Sequence, residues 1–176
     1  MLVRANSLSG LATLSLLGEK SKCVDVLTML DSRINDVSVI VIGGTSSIFA
    51  DLGLSSKLSV QMLGDGMNKL LYITLVMLAN PGALILVDEI ENGFHYSFFP
   101  ILWSIIGKLA TETGCQVIAT SHSYECIGGA TVLTTNSENS ELFRYIRFER
   151  NNGMVVPKIF ENDSFEYAIK NDWEVR

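Results

Sequence analysis

Apolar side chains at Val24, Leu27, Leu30 and Ile34 recur at the spacing of one helix face, so the stretch Cys23 to Ile34 (CVDVLTMLDSRI) predicts an amphipathic helix. β-branched runs punctuated by glycine follow in VSVIVIGG and SSIFADLGLSSKLSVQML, which predict a strand pair. From Met67 to Ala79 the chain is almost wholly apolar, and Asn80-Pro81-Gly82 stops it, the pattern of a buried helix. ALILV then reads as a short buried strand. FFPILWSIIGKLATETG reads as a helix with Pro100 in its first turn and its end near Gly114, and QVIAT as a second buried strand. Strand, helix and strand at these lengths form a βαβ unit, which puts both strands in one parallel sheet. Further on, ATVLTT, LFRYIRFE and MVVPKIF predict strands, with Asn151-Asn152-Gly153 as a turn and Pro157 at an edge or bulge. Asp163 and Glu166 have capping-box spacing before a short terminal helix, FEYAIKN.

Together these elements describe an α/β chain with a partly parallel sheet flanked by helices and an antiparallel C-terminal portion. No repeat, low-complexity tract or linker breaks it, so residues 1–176 read as one domain, 1–36 a helical lead-in and 37–176 the core. A length of 176 residues, 48% of them hydrophobic, supports a sizeable core. The net charge of -6 argues against a surface that grips nucleic acid by itself, so any contact with DNA is expected to be indirect. Cys23, Cys115 and Cys126 are odd in number and lack CxxC spacing, which fits a reducing cytoplasm. No apolar run approaches the ~20 residues that cross a bilayer, so no membrane partner is expected. The opening MLVRANSLSGLATLSLLG lacks the small-residue cleavage site of a signal peptide and reads as an ordinary helix or the remnant of a longer chain.

Chemistry gathers where the strands end. Ligands of a parallel sheet bind beyond the carboxyl ends of its strands, and ALILV delivers Asp88 and Glu89 there. Magnesium takes oxygen ligands and keeps several waters, so Asp88 is the candidate metal contact and Glu89 the candidate base for an attacking water. QVIAT delivers Ser121, His122 and Ser123 to the same edge, where an imidazole can donate to phosphoryl oxygens as charge develops. Each has a plainer reading alone: the acids as solvated punctuation, the histidine as structural. Leu63-Gly64-Asp65-Gly66-Met67 opens the buried helix, where glycines let backbone approach a ligand and free N–H groups favour phosphate; a simple tight turn is the bland alternative. Trp103, Phe98 and Phe99 fall on helical spacing and read as core.

LGDGMNKLL, then ALILVDEIENGFH, then VIATSHS resemble the ABC-type ATPase head of the RecF, SMC and OLD-like group, and within it the AAA-like ATPases whose half-signature reads LGDG. The closing FEYAIKNDWEVR resembles the end of such proteins, so the likeness spans roughly Val37 to Arg176. The resemblance implies a P-loop NTPase-like lobe that uses ATP and Mg2+. It makes Leu63, Gly64, Asp65, Gly66 and Met67 the signature region, Asp88 and Glu89 Walker B, and Glu91 to His95 the D-loop region. His122 becomes the switch histidine, with Ser121 beside it at the nucleotide, and His95 either a contact across an interface or a plain surface histidine. The implied partner is a second copy or another ATPase half, with a nuclease often alongside, in DNA repair, chromosome maintenance or phage defence.

The chain departs from that family, whose members carry a Walker A lysine loop and a Q-loop in an N-terminal half. No loop of the form GxxxxGK followed by Ser or Thr occurs, and in LLGEKSK the run Gly18-Glu19-Lys20-Ser21 interrupts the required GK pair. The chain is therefore expected to be a C-terminal lobe, inactive alone, whose phosphate cradle lies in other residues. Two other readings stand beside it: a non-catalytic interaction protein that keeps the lobe's surface and binds an ATPase or nuclease, and a nuclease or phosphatase holding metal on Asp88, Glu89 and Glu91. The lack of further acids at metal-ligand spacing weighs against the last.

Overall fold

The computed structural model describes residues 18, 20–42, 45–135, 143–151 and 153–171; residues 1–17, for which an ordinary helix or the remnant of a longer chain is expected, lie outside them. Helix α1, Lys20–Thr28, buries Cys23, Val26 and Leu27. It stops short of the predicted end because Asp31 folds the chain, accepting from the Arg33 N–H at 3.0 Å and Nη2 at 2.7 Å, and Ile34 enters the core from a loop. Strands β1 (Asp36–Ile42) and β2 (Thr45–Asp51) pair antiparallel, and β3 (Leu58–Ser59) adds to β2. A 3-10 turn, Val60–Leu63, leads into α2, Asp65–Ala79, ten of whose 15 residues are buried. That is the outcome for a helix apolar on nearly every side.

Strands β4 (Leu84–Val87) and β5 (Gln116–Ala119) pair parallel, joined through α3 (Phe99–Thr113). Pro100 sits in the first turn of α3, and Gly114 closes the helix in the left-handed conformation at φ 68. The expectation that both strands are buried is wrong for one face. Ile85, Val87, Val117 and Ala119 pack on the core, whereas Leu84, Leu86 and Ile118 are 41, 54 and 57% exposed. Parallel sheets are ordinarily covered on both faces. Here the helices cover one.

The predicted strand ATVLTT is instead helical: α4, Tyr124–Gly129, runs into a 3-10 turn at Ala130–Leu133. Ser123 caps α4 by accepting from the Cys126 N–H at 3.1 Å, and Thr131 and Thr134 hydroxyls return to the Gly128 and Thr131 carbonyls at 2.9 Å, so side chains satisfy the backbone without a strand partner. The hairpin of β6 (Tyr145–Asn151) and β7 (Met154–Phe160) forms as expected, with Pro157 opposite Phe148. Helix α5, Asn162–Lys170, follows. Its expected capping box does not form: Glu161 is the N-cap residue, and Glu166 accepts from the Thr134 hydroxyl at 2.8 Å and Lys170 Nζ at 3.1 Å.

Among the described residues the three sheets are separate, and no helix is long and apolar enough to cross a membrane. The main core centres on α2 and α3, with Leu70, Met77 and Leu102 fully buried, and it includes Phe98 and Phe99 as predicted. A second cluster of Ile127, Ala130, Phe160, Phe165 and Ala168 holds the hairpin and α5, with the half-buried Trp103 packed against it. Phe165 is fully buried, its ring 5.1 Å from that of Phe143 and 5.4 Å from that of Tyr145. Phe165→Ala is expected to cost about 3–5 kcal/mol, the range for deleting a buried aromatic ring. Urea unfolding measures it, and a loss below about 1 kcal/mol would show that the second cluster does not depend on this ring.

Candidate functional site

Because Val87 lies level with Ala119 in the parallel register, the next residues of the two strands, Asp88 and Thr120, meet. The Thr120 hydroxyl donates to Asp88 Oδ1 at 2.5 Å and accepts from the Glu89 N–H at 2.8 Å. Backbone bonds continue the bracket, Thr120 N–H to the Val87 carbonyl at 2.9 Å and Ile90 N–H to the Thr120 carbonyl at 3.0 Å. Asp88 and Glu89 are both exposed at this edge.

Glu89 has φ 46 and is the one non-glycine residue with positive φ among the described residues. That conformation costs on the order of 1–3 kcal/mol and persists only where the surroundings hold it. Lys69 Nζ, from α2, donates to the Glu89 carbonyl at 2.5 Å, with a longer contact of 3.4 Å to the Asp88 carbonyl. Asn92 Nδ2 donates to Glu89 Oε2 at 2.6 Å. Burial lowers the Lys69 pKa, against the opposing pull of Glu91, Glu89 and Asp88.

Glu91 reaches across to the neighbouring strand end, its Oε1 accepting from the His122 N–H at 2.7 Å. Burial alone would raise its pKa, but hydrogen bonds from the main-chain N–H groups of His122 and Glu91 itself outweigh that and hold the carboxyl below its ordinary value. His122 is exposed, Ser121 half-buried, and the Ser123 side chain is occupied in capping α4. His95 is exposed and caps a short turn: Nδ1 accepts from the Ser97 N–H at 3.4 Å and pairs with the Ser97 hydroxyl at 2.9 Å. Its observed role is local.

The LGDG loop divides in two. Gly64 has φ 104 with nothing within 4 Å of where a Cβ would stand, and Asp65 opens α2 on the surface. Gly66 is buried against Gly93: a Cβ on Gly66 would lie 2.4 Å from the Gly93 carbonyl oxygen, and one on Gly93 would lie 2.8 Å from the Gly66 nitrogen. So Gly66 permits two loops to touch, whereas the sequence suggested open approach to a ligand. Leu63 is half-buried and the Met67 side chain sits in the core, 4% exposed. What faces outward is Gly64 and Asp65 at the start of α2, and a helix N-terminus is an end that favours an anion. A cleft of about 550 Å³ lies alongside, between Ile48, Gln61, Asp65, Lys69, Tyr72 and Asn92.

Asp88 has one carboxylate oxygen engaged by Thr120, leaving Oδ2 for an ion. Among the described residues no group of three His, Cys, Asp or Glu side chains gathers to hold a metal unaided. A single carboxylate could hold magnesium only with waters and phosphate oxygens as its further ligands, as that ion commonly binds. Sequence reasoning missed Thr120 and Lys69, and it reached Asn92 only as part of the Glu91 to His95 region, without its bond to Glu89. Thr120 carried a usable signal, since two strands of equal length in parallel register place it level with Asp88; Lys69 carried none.

Residues 10–127 match the family model described as "AAA domain, putative AbiEii toxin, Type IV TA system". An "ATP/GTP phosphatase" of Helicobacter pylori is 24% identical over 122 residues, 68% of this chain and 33% of that protein, so the chain spans about a third of this relative. A structure from work on ATP-driven dimerization and DNA-stimulated activation of SMC ATPases superposes with TM-score 0.63 at 11% identity, covering 95% of this chain and 97% of that one. The SmcHead bound to the C-winged helix domain of ScpA gives 0.54 at 14% identity, over 93% of this chain and 49% of that one. A Smc head with an extended coiled coil, bound to the C-terminal domain of ScpA derived from Pyrococcus furiosus, gives 0.56 at 12% identity, over 87% and 37%. At these identities the structural likeness speaks for fold.

Proposed function

Because the chain belongs to the AAA domain family that its residues 10–127 match and has the fold of an SMC ATPase head, we propose that it is the signature, Walker B and switch-histidine lobe of an ABC-type ATPase head. It acts on ATP with Mg2+ once a Walker A lobe outside these 176 residues completes the site. Glu89 takes the proton of the attacking water, and Asn92 and Thr120 fix its direction. Asp88 holds magnesium, which when bound offsets charge on the phosphates. His122 donates to the phosphoryl oxygens, with Ser121 beside it. Gly64, Asp65 and the α2 N-terminus, flanked by Leu63, Gly66 and Met67, serve the nucleotide of the partner head.

The observation that carries this reading is the parallel pair β4 and β5, which brings Asp88, Glu89, Thr120 and His122 to one edge and leaves Leu84, Leu86 and Ile118 bare on its other face. An apolar sheet face of this kind is where a second lobe packs. The coverage of two solved heads fits such a division, since this unit spans 49% of the SmcHead chain and 37% of the Smc head with an extended coiled coil. Association with a second copy or an ATPase half, a nuclease alongside, indirect action on DNA in repair or phage defence, and a cytoplasmic setting for three buried cysteines belong to the proposal.

The purified chain is expected to hydrolyse ATP no faster than background, because the β- and γ-phosphates lack a backbone cradle and lysine. Magnesium-dependent turnover that disappears in Asp88→Ala would overturn the missing-lobe reading. The missing phosphate loop also favours a second reading, a non-catalytic lobe that binds a partner ATPase. A completed head that closes on ATP without hydrolysing it would select that reading.

A further inference from the structure

The turn that follows the acid pair is gripped from two sides. On one side Gly93 lies against Gly66 so closely that neither position has room for a Cβ. On the other, Glu91 Oε1 accepts the His122 N–H at 2.7 Å. Glu91 thus accepts the main-chain N–H of His122, which is exposed. A bond to an ionised carboxylate belongs to the stronger class, and Glu91 is partly buried with its main chain tied into the same turn. Any displacement of Gly93 therefore has a short path to His122: a short run of backbone, one side chain, one hydrogen bond.

We propose that Glu91 is the positioning residue for His122, and that it passes movement at the Gly66–Gly93 contact to the His122 loop. On the ATPase reading above, on which this purpose rests, contact of a second head with the LGDG loop is then felt at the histidine of the same chain. The coupling itself requires no nucleotide.

Nuclear magnetic resonance of the isolated chain tests it. In Glu91→Ala the His122 amide is expected to lose its downfield position and to exchange with solvent about tenfold faster or more. Glu91→Gln keeps an acceptor oxygen and is expected to restore most of both. Gly66→Ala must push Gly93 aside, so it is expected to move the His122 amide resonance in the parent chain and to leave it in place in the Glu91→Ala background. Equal movement in both backgrounds, or none in a folded Gly66→Ala protein, overturns the proposal. Should Gly66→Ala unfold the chain, the exchange rates still decide, since a parent-like rate in Glu91→Ala shows that the tie does not exist. In a completed head, Glu91→Ala is expected to lower kcat without raising KM for ATP. Parent kcat in a head that Glu89→Gln silences would count against Glu91 alone and leave the ATPase reading standing.

Discussion

A head completed with a Walker A lobe and carrying Glu89→Gln is expected to bind ATP, hold its partner closed and hydrolyse about 10²–10⁴-fold more slowly than the parent, the usual worth of a positioned general base. The geometry makes this a clean substitution. Glu89 is exposed, and its Oε2 accepts from Asn92 at 2.6 Å, a bond that a glutamine carbonyl oxygen can also accept. The backbone at φ 46 is held by Thr120 and Lys69 through main-chain atoms, so the side-chain change leaves that hold intact. Neighbouring variants are expected to separate the roles. Asp88→Asn weakens magnesium and with it ATP-driven association, and it also alters the acceptor of the Thr120 hydroxyl. His122→Ala slows turnover with little loss of binding, since its contact matters most as charge develops. Phosphate release and sedimentation in the presence of ATP measure these outcomes together. Hydrolysis by Glu89→Gln at the parent rate would remove Asp88 and Glu89 from the chemistry altogether.

Gly66→Asp is expected to abolish closure of the completed head, and the fold changes the reason. The sequence points to a clash between heads and a carboxylate set against phosphate. In the structure the new side chain is aimed at the Gly93 carbonyl, where a Cβ would lie 2.4 Å away, and at the Phe94 ring at 3.0 Å. Overpacking of this kind typically costs about 1–3 kcal/mol, and a buried charge without a partner adds to it. The turn carrying Glu91 and Asn92 must move, and with it the contacts to Glu89 and His122. Gly64→Ala is the contrast, because nothing lies within 4 Å of its Cβ and only backbone strain at φ 104 is added. A urea midpoint for Gly66→Ala equal to the parent, with ATP-driven closure of Gly66→Asp intact, would show that the two loops do not depend on this contact.

Several elements were legible because their cause is local. The apolar run of α2, Pro100 at the start of α3, Gly114 at its end and Gly153 in the last hairpin act through backbone preference and one-sided or all-round burial, which neighbours in sequence encode. ATVLTT failed for a local reason read wrongly: β-branched residues favour strands, yet the Thr131 and Thr134 hydroxyls bond to carbonyls three residues back and sustain helical turns. Ile34 satisfied a helical period from a loop, since burial records only that a side chain reaches the core. Glu166 matched a capping box and was taken by Thr134, 32 residues away in sequence.

By itself the sequence determined the α/β class, the order of the three motifs and the parallel pair that carries Asp88, Glu89 and His122 to one edge. Periodicity and strand polarity suffice for that, because each element announces its own direction and its own apolar side. Only the tertiary structure decided that Lys69, Thr120 and Asn92 hold the acid turn, that Gly66 faces Gly93, and that Leu84, Leu86 and Ile118 stand uncovered. These depend on which distant segment meets each side chain, and hydrophobic pattern marks a residue as suited to a neighbour without saying which neighbour arrives.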